Sequence, residues 1–252
     1  MTCKLSVNLN AIAQLRNRRN LPWPSLVNLG RIALSAGANG LTVHPRPDER
    51  HIRRSDVPEL AQLIRTEFPD REFNIEGNPD ARFVEMVEAI KPDQATLVPD
   101  DIRQVTSDHG WDISRHHSFL SDVISRLQSS GIRVSLFIDP EPHLPPLAAE
   151  VGTDRVEIFT GPYGGQQNSK IREQALQQVI DTGNAACDAG LGLNAGHDLT
   201  LENLGPIIVA LPHLEEVSIG HCLTADALIY GMADTVRRYR EICENSAGGQ
   251  SR

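Results

Sequence analysis

His44, Glu76, Asp139, Glu157 and His197 lie far apart in the chain, yet each falls in or just after a short, largely apolar run. Imidazoles and carboxyls in such positions can trade protons with a bound substrate, which is the usual currency of general acid–base catalysis. The ends of the other apolar runs are polar too: Asn8 and Asn10, Arg46 just past His44, Thr160, Asn194, and Gly220 with His221. A buried polar group without a partner is costly, so this repeated choice points to a shared site rather than to packing. Other chemistries have little support. Only Lys4, Lys91 and Lys170 are lysines, and none ends such a run, so an enzyme-borne Schiff base is not expected. Cys3, Cys187, Cys222 and Cys243 form no CxxC pair and read as reduced thiols. His109, His116, His117, His143 and His213 fall in loops or on helix faces and read as surface residues.

Two features suit an anion, phosphate above all. Arg46, Arg50, His51, Arg53 and Arg54 form a basic stretch in a chain of net charge −9, and guanidinium forks match phosphate geometry. Two Gly-His turns, at 196–197 and 220–221, precede segments expected to open helices, where free backbone N–H groups bind anions. Two such sites imply two phosphorylated substrates or one bisphosphate.

The elements that must position these groups alternate regularly. Strands are expected over 4–8, 40–44, 73–76, 94–98, 133–139, 155–159, 190–194 and 216–219. Some, such as Val134 to Ile138, are nearly continuous apolar runs, as strands buried on both faces should be. Helices are expected over 26–36, 56–68 behind Ser55, 81–90 behind Asp80, 118–129, 144–150, 169–189, 201–211 behind Thr200, and from Thr224 to about Cys243. Eight strands with helices between them point to a parallel (β/α)8 TIM barrel of class α/β, one domain over 1–244, with 245–252 a frayed tail. A doubly wound sheet would want a GxGxxG turn after the first strand, and none is there. The segment 100–117 is long for a βα loop and reads as a lid or substrate contact. The acidic balance argues against a nucleic-acid partner. No apolar run is long enough for a membrane span and no signal peptide is evident, so a cytoplasmic protein is expected. A metal is not expected, because metal-dependent barrel hydrolases usually carry His-x-His where this chain has Asn8-Leu9-Asn10. A metal-dependent hydrolase or lyase on the same barrel, and a phosphate-binding protein without turnover, remain the alternatives.

The motifs also resemble a known family, the pyridoxine 5′-phosphate synthases of vitamin B6 biosynthesis. The likeness runs through Ser-Val-Asn-Leu at 6–9, Leu-Arg-Asn at 15–17, Gly-Leu-Thr-Val-His-Pro-Arg-Pro-Asp-Glu-Arg-His-Ile at 40–52 and Phe-Asn-Ile-Glu at 73–76. It continues through Leu-Val-Pro at 97–99, Val-Ser-Leu-Phe-Ile-Asp at 134–139, Val-Glu-Ile-Phe-Thr-Gly at 156–161, Leu-Asn-Ala-Gly-His at 193–197 and Ile-Gly-His at 219–221. The resemblance implies a condensation of 3-amino-2-oxopropyl phosphate with 1-deoxy-D-xylulose 5-phosphate, giving pyridoxine 5′-phosphate, phosphate and water. It implies no metal, no organic cofactor and a homo-octamer. His44 and Glu76 would act as bases and His197 as a general acid, with Glu157 stabilising transition states or ordering water. Asn8, Arg19, Gly220 and His221 would hold the aminoketone phosphate, and Arg46, His51 and Thr106 the sugar phosphate. The chain departs from the pattern twice. Asn10-Ala11 stands where the family often has Asp-His at the sugar, and Asp198 where a Gly often follows the catalytic His. Asn10 can still hydrogen-bond, and the Asp198 backbone N–H still serves the phosphate if its carboxylate turns away.

Overall fold

A computed structural model describes residues 2–19, 21–100, 104 and 107–245. Thr106 and the tail beyond 245 lie outside the described residues. The elements are, in order, β1 (Lys4–Asn8), α1 (Asn10–Asn17), α2 (Leu26–Ser35), β2 (Gly40–Val43), α3 (Asp56–Glu67), β3 (Glu72–Gly77), α4 (Ala81–Ile90) and β4 (Gln94–Leu97). There follow α5 (Ile113–Ser129), β5 (Arg133–Ile138), α6 (Leu144–Glu150), β6 (Arg155–Phe159), α7 (Gly161–Gly164), α8 (Ser169–Asp188), β7 (Gly192–Gly196), α9 (Leu204–Ala210), β8 (Glu216–Ile219), α10 (His221–Tyr230) and α11 (Met232–Asn245). Every strand pairs in parallel with its sequence neighbour, and β8 closes on β1. This is a (β/α)8 TIM barrel.

Alternate strand residues divide the barrel into two environments. Leu5, Val7, Leu41, Val43, Ile75, Leu97, Leu136, Val156, Ile158 and Val217 are fully buried and form the apolar layer under the helices. Each such side chain contributes about 1.5–3 kcal/mol as an upper bound. The other face is polar. Ser6 Oγ bonds Thr42 Oγ1 at 2.7 Å, and Thr96 Oγ1 donates to Asn74 Oδ1 at 3.1 Å. Asn194 on β7 reaches Gln94 on β4, clear across the barrel, at 3.5 Å, which places both side chains in the lumen. Arg155 donates to Asn194 Oδ1 at 3.1 Å and pairs with Glu215, while Glu72 takes Lys4 and Arg133, so ion pairs lie at the amino ends of the strands. The strands are therefore not apolar on both faces as their sequence suggested. Their inward positions carry hydroxyls, amides and carboxyls, most of which bond one another, while Ser135 Oγ and Glu157 Oε2 have no hydrogen-bond partner among the described residues.

Several element ends differ from expectation for local reasons. α1 follows β1 after the single residue Leu9 and has no side-chain cap, so no start signal marks it. β7 begins at Gly192 rather than Gly190, because Gly190 takes a left-handed turn (φ +75°) after α8. Ser55 does not cap α3; instead the Asp56 carboxylate accepts the Arg53 N–H at 2.7 Å. α5 starts at Ile113, five residues early, with Asp112 accepting the Arg115 N–H at 3.1 Å. Thr200 Oγ1 does accept the Asn203 N–H at 3.2 Å, but the regular helix begins only at Leu204. The last expected helix is two, starting at His221 and broken at Gly231, whose φ of +78° is open to glycine at little cost.

Candidate active site

The carboxyl ends of the strands form one mouth. From β1, Asn8 Nδ2 donates to Glu76 Oε2 at 3.3 Å and Asn8 Oδ1 accepts the Asn10 N–H at 2.9 Å. Asn10 Oδ1 in turn accepts the His44 N–H at 2.9 Å. Asn10 thus fixes the backbone at the end of β2, and its amide N–H groups remain for a ligand. The His44 ring meets that of His51 edge-on, with centroids 5.8 Å apart. The His197 ring sits against Phe137 and Phe159 at 5.3 and 5.2 Å.

Burial sets the protonation of these groups. Desolvation, then the charges of Asp100 and Glu216, pushes the Glu76 carboxyl up to about 8. Glu157, 2% exposed, is raised well above the usual carboxylate range by burial and by Glu76 and Glu216. Its Oε2 has no hydrogen-bond partner among the described residues. Gly196 makes room for it, since a Cβ there would lie 2.5 Å from Glu157 Oε1. His44 and His197 go the other way: burial favours their neutral rings, reinforced at His44 by Arg46, His51, His197 and Arg82. At neutral pH the mouth therefore holds neutral imidazoles beside protonated carboxyls, groups whose environments suit them to exchange protons.

Two anion-compatible edges flank β1. On the β2 side, Arg46 is buried, donating through Nη1 to Gln104 O at 2.7 Å and through Nη2 to Asp100 Oδ2. Ile52 N–H donates to His51 Nδ1 at 3.0 Å, so the ring's proton sits on Nε2. Burial and the neighbouring arginines hold His51 down at about 4, neutral throughout the physiological range. On the β8 side, Gly220 is the N-terminal cap of α10 and packs on Asn8, where a Cβ would come within 3.1 Å of that side chain. His221 opens α10 and is exposed. Next to it the chain after β7 turns through two left-handed residues, His197 (φ +85°) and Asp198 (φ +55°). Thr160 Oγ1 pins this turn, donating to both Gly196 O and His197 O at 2.6 Å, and Asn203 Nδ2 holds Asp198 O at 3.0 Å. The Asp198 carboxylate turns outward over α7, 3.6 Å from where a Cβ on Gly165 would stand, and faces Cys222, whose thiol burial and this charge push up to about 11.

Of the expected site residues, the structure gathers Asn8, Asn10, His44, Arg46, His51, Glu76, Glu157, His197, Asp198, Gly220 and His221 around the mouth. Arg19 is exposed beyond the end of α1, and its side chain makes no hydrogen bond among the described residues. The sequence reading missed Asp100, Thr160 as the pin of the β7 turn, and a bracket on α1. In that bracket Arg16 forms a buried fork with Asp56 at 2.6 and 2.9 Å, and Asn17 Nδ2 donates to the carbonyls of Glu49, Arg50 and His51 at 3.2, 3.2 and 2.7 Å. The Leu-Arg-Asn motif at 15–17 was the available signal. Among the described residues no three His, Cys, Asp or Glu side chains are grouped to hold a metal ion. No described helix is long and apolar enough to cross a membrane.

A closed barrel with buried His and Glu side chains at its carboxyl-end mouth places the protein among the (β/α)8-barrel enzymes. More narrowly, the chain belongs to the pyridoxal phosphate biosynthesis protein PdxJ family, whose model matches residues 5–245. It is 58% identical over 247 residues to the pyridoxine 5′-phosphate synthase of Chelativorans sp., covering 97% of this chain and 100% of that one. It is 56% identical over 250 residues to the enzyme of the same name from Rhizobium meliloti, covering 98% and 100%. Among solved structures, a Pyrococcus furiosus thiamine phosphate pyrophosphorylase superposes with a TM-score of 0.61 over 96% of both chains. At 13% identity, that likeness concerns the fold alone.

Proposed function

We propose that the protein makes pyridoxine 5′-phosphate by condensing 3-amino-2-oxopropyl phosphate with 1-deoxy-D-xylulose 5-phosphate, releasing phosphate and water. The observation that carries the reading is the pairing of neutral His44 and His197 with protonated Glu76 and Glu157 between two anion-compatible edges. The sugar phosphate takes the Arg46 and His51 edge, with Thr106, and the amide of Asn10 donates to the sugar. The aminoketone phosphate takes the start of α10 at Gly220 and His221, the Asp198 N–H, Asn8 and Arg19.

His44 is neutral and acts as the first base, for the attack of the substrate amine on the ketone. Glu76, with a pKa near the working pH, gives and takes the later protons. His197 starts neutral, and a phosphate dianion on the neighbouring N–H groups favours its imidazolium, which then protonates a leaving oxygen. Glu157 stays protonated and donates a hydrogen bond to developing negative charge or to water. The substrate supplies the amine, so no lysine is needed. The protein works in the cytoplasm as a homo-octamer, a state supported by the apolar Leu228 and Ile229 on α10, which are 79% and 73% exposed in the single chain.

The test is a direct assay. Chelator-treated protein is mixed with both phosphorylated substrates and pyridoxine 5′-phosphate is followed by its absorbance. Product formation is the expected result. Folded protein that makes none, with or without added divalent metal, would overturn the reading. Native mass measurement reads the octamer.

A further inference from the structure

Asp100 is the third residue after β4, and its carboxylate lies between Arg46 and His44 on the β2 edge of the mouth. Its Oδ2 accepts from Arg46 Nη2 and, at 2.7 Å, from Ser107 Oγ. The same oxygen lies 3.9 Å from His44 Nδ1, just beyond hydrogen-bond range. The second oxygen, Oδ1, is buried and has no hydrogen-bond partner among the described residues. Arg46, His44 and Asp100 are all buried.

Three consequences follow from electrostatics. Arg46 spends both terminal nitrogens within the protein, one on Asp100 and one on Gln104 O, so a phosphate cannot receive its fork without breaking at least the first of these. A phosphate dianion and a carboxylate on one buried guanidinium repel each other strongly, so the two are alternatives rather than co-ligands. A carboxylate released from Arg46 is a buried charge with one oxygen already unpaired; Ser107 Oγ alone still answers the other, and the further donor within reach is the His44 ring, whose Nδ1 lies 3.9 Å away.

We propose that Asp100 is a positioning residue shared between the two functions of this edge: it neutralises Arg46 while the site is empty, and passes to His44 when a substrate phosphate takes Arg46. Released in this way, it orients the His44 ring through Nδ1 and leaves Nε2 to accept the substrate's proton, so the base is set only when the phosphorylated substrate has arrived. This rests on the sugar-phosphate reading of the Arg46 edge.

The two halves of the exchange predict opposite effects from one substitution. In Asp100→Asn the competing charge is gone, so 1-deoxy-D-xylulose 5-phosphate and inorganic phosphate should each bind about tenfold more tightly by titration calorimetry. The same variant loses the partner of its base, so kcat should fall about tenfold or more. A residue that merely held the loop would weaken binding and turnover together. Weaker or unchanged phosphate binding in Asp100→Asn, or tighter binding with kcat intact, would overturn the proposal. Should Asp100→Asn fail to fold, Ser107→Ala removes the other donor to the same oxygen and should tighten phosphate binding by a smaller factor; no tightening there counts against the exchange. Wild-type protein that binds inorganic phosphate but not the sugar phosphate would defeat the substrate assignment while leaving the exchange itself decided by the phosphate titrations.

Discussion

Arg46 and Gly220 stand on either side of β1 and offer an anion different things. Arg46 offers a full charge on a side chain that is buried in the empty protein, and it is matched there by Asp100. Gly220 and the turn at 197–198 offer backbone N–H groups at the start of α10, with no net charge to balance. The first edge is strong but occupied, and a ligand must exchange with a resident carboxylate. The second is weaker per contact, and its quality lies in backbone shape, which Thr160, Asn203 and the close approach at Gly164 hold in place. A charged side chain in a buried site brings its own counter-ion and a backbone cradle does not, so the two edges should fail in different ways.

The sharpest break comes from the chemistry between them. His44→Ala should lower kcat by about a hundredfold to ten-thousandfold while both substrates still bind; lost binding of the sugar phosphate would instead show the ring to be part of that edge. Arg46→Ala should raise KM for the sugar phosphate by about ten- to a hundredfold and leave the aminoketone phosphate nearly unaffected. Equal effects on the two substrates would erase the distinction. Gly164→Ala attacks the other edge, because its Cβ would meet Asp198 O at 2.3 Å and push the left-handed turn aside. KM for the aminoketone phosphate should rise by up to about tenfold, with the sugar phosphate spared.

The smallest effect concerns stability. Burial raises Glu76 to about 8 and Glu216 to about 7, so the folded chain keeps protons that the unfolded chain releases above the usual carboxylate range. That stability is lost as pH rises through the folded values. His44, His51 and His197 are depressed, and their contribution is lost as pH falls below about 6.5. Between pH 6.5 and 8 only the carboxyls act, so unfolding free energy should drop with rising pH by on the order of 1 kcal/mol in urea titrations. A rise over that window would mean that the lumen carboxyls are already ionised in the folded state.

Much of the fold was legible because the outward strand positions are β-branched or leucine and the strand ends are marked by polar residues. β1, β6 and β8 have the bounds the sequence suggests. What failed were caps and starts set by tertiary contacts: α3 starts at Asp56 as expected but without a Ser55 side-chain cap, Asp56 being committed to Arg16 and the Arg53 N–H, and α1 has no side-chain cap. In the site, His44, Glu76, Glu157 and His197 were visible as costly polar choices at strand ends. Asp100 was not, because a carboxylate in a loop looks like solvent-facing charge until its distance to Arg46 is known. Arg19 came from the family resemblance alone, and no described contact ties it to the mouth; Thr106, from the same resemblance, lies outside the described residues.

The polar lumen has a thermal consequence. Exposing apolar surface raises the heat capacity on unfolding and exposing polar surface lowers it, by about +0.45 and −0.26 cal/K/mol per Å². A barrel filled with valine and leucine adds to that increment; one filled by Ser6, Thr42, Asn74, Gln94, Thr96, Ser135, Asn194 and Glu216 subtracts from it. The stability curve of this protein should therefore be flatter than that of an apolar-filled barrel of equal length, with less strength lost on either side of its optimum temperature.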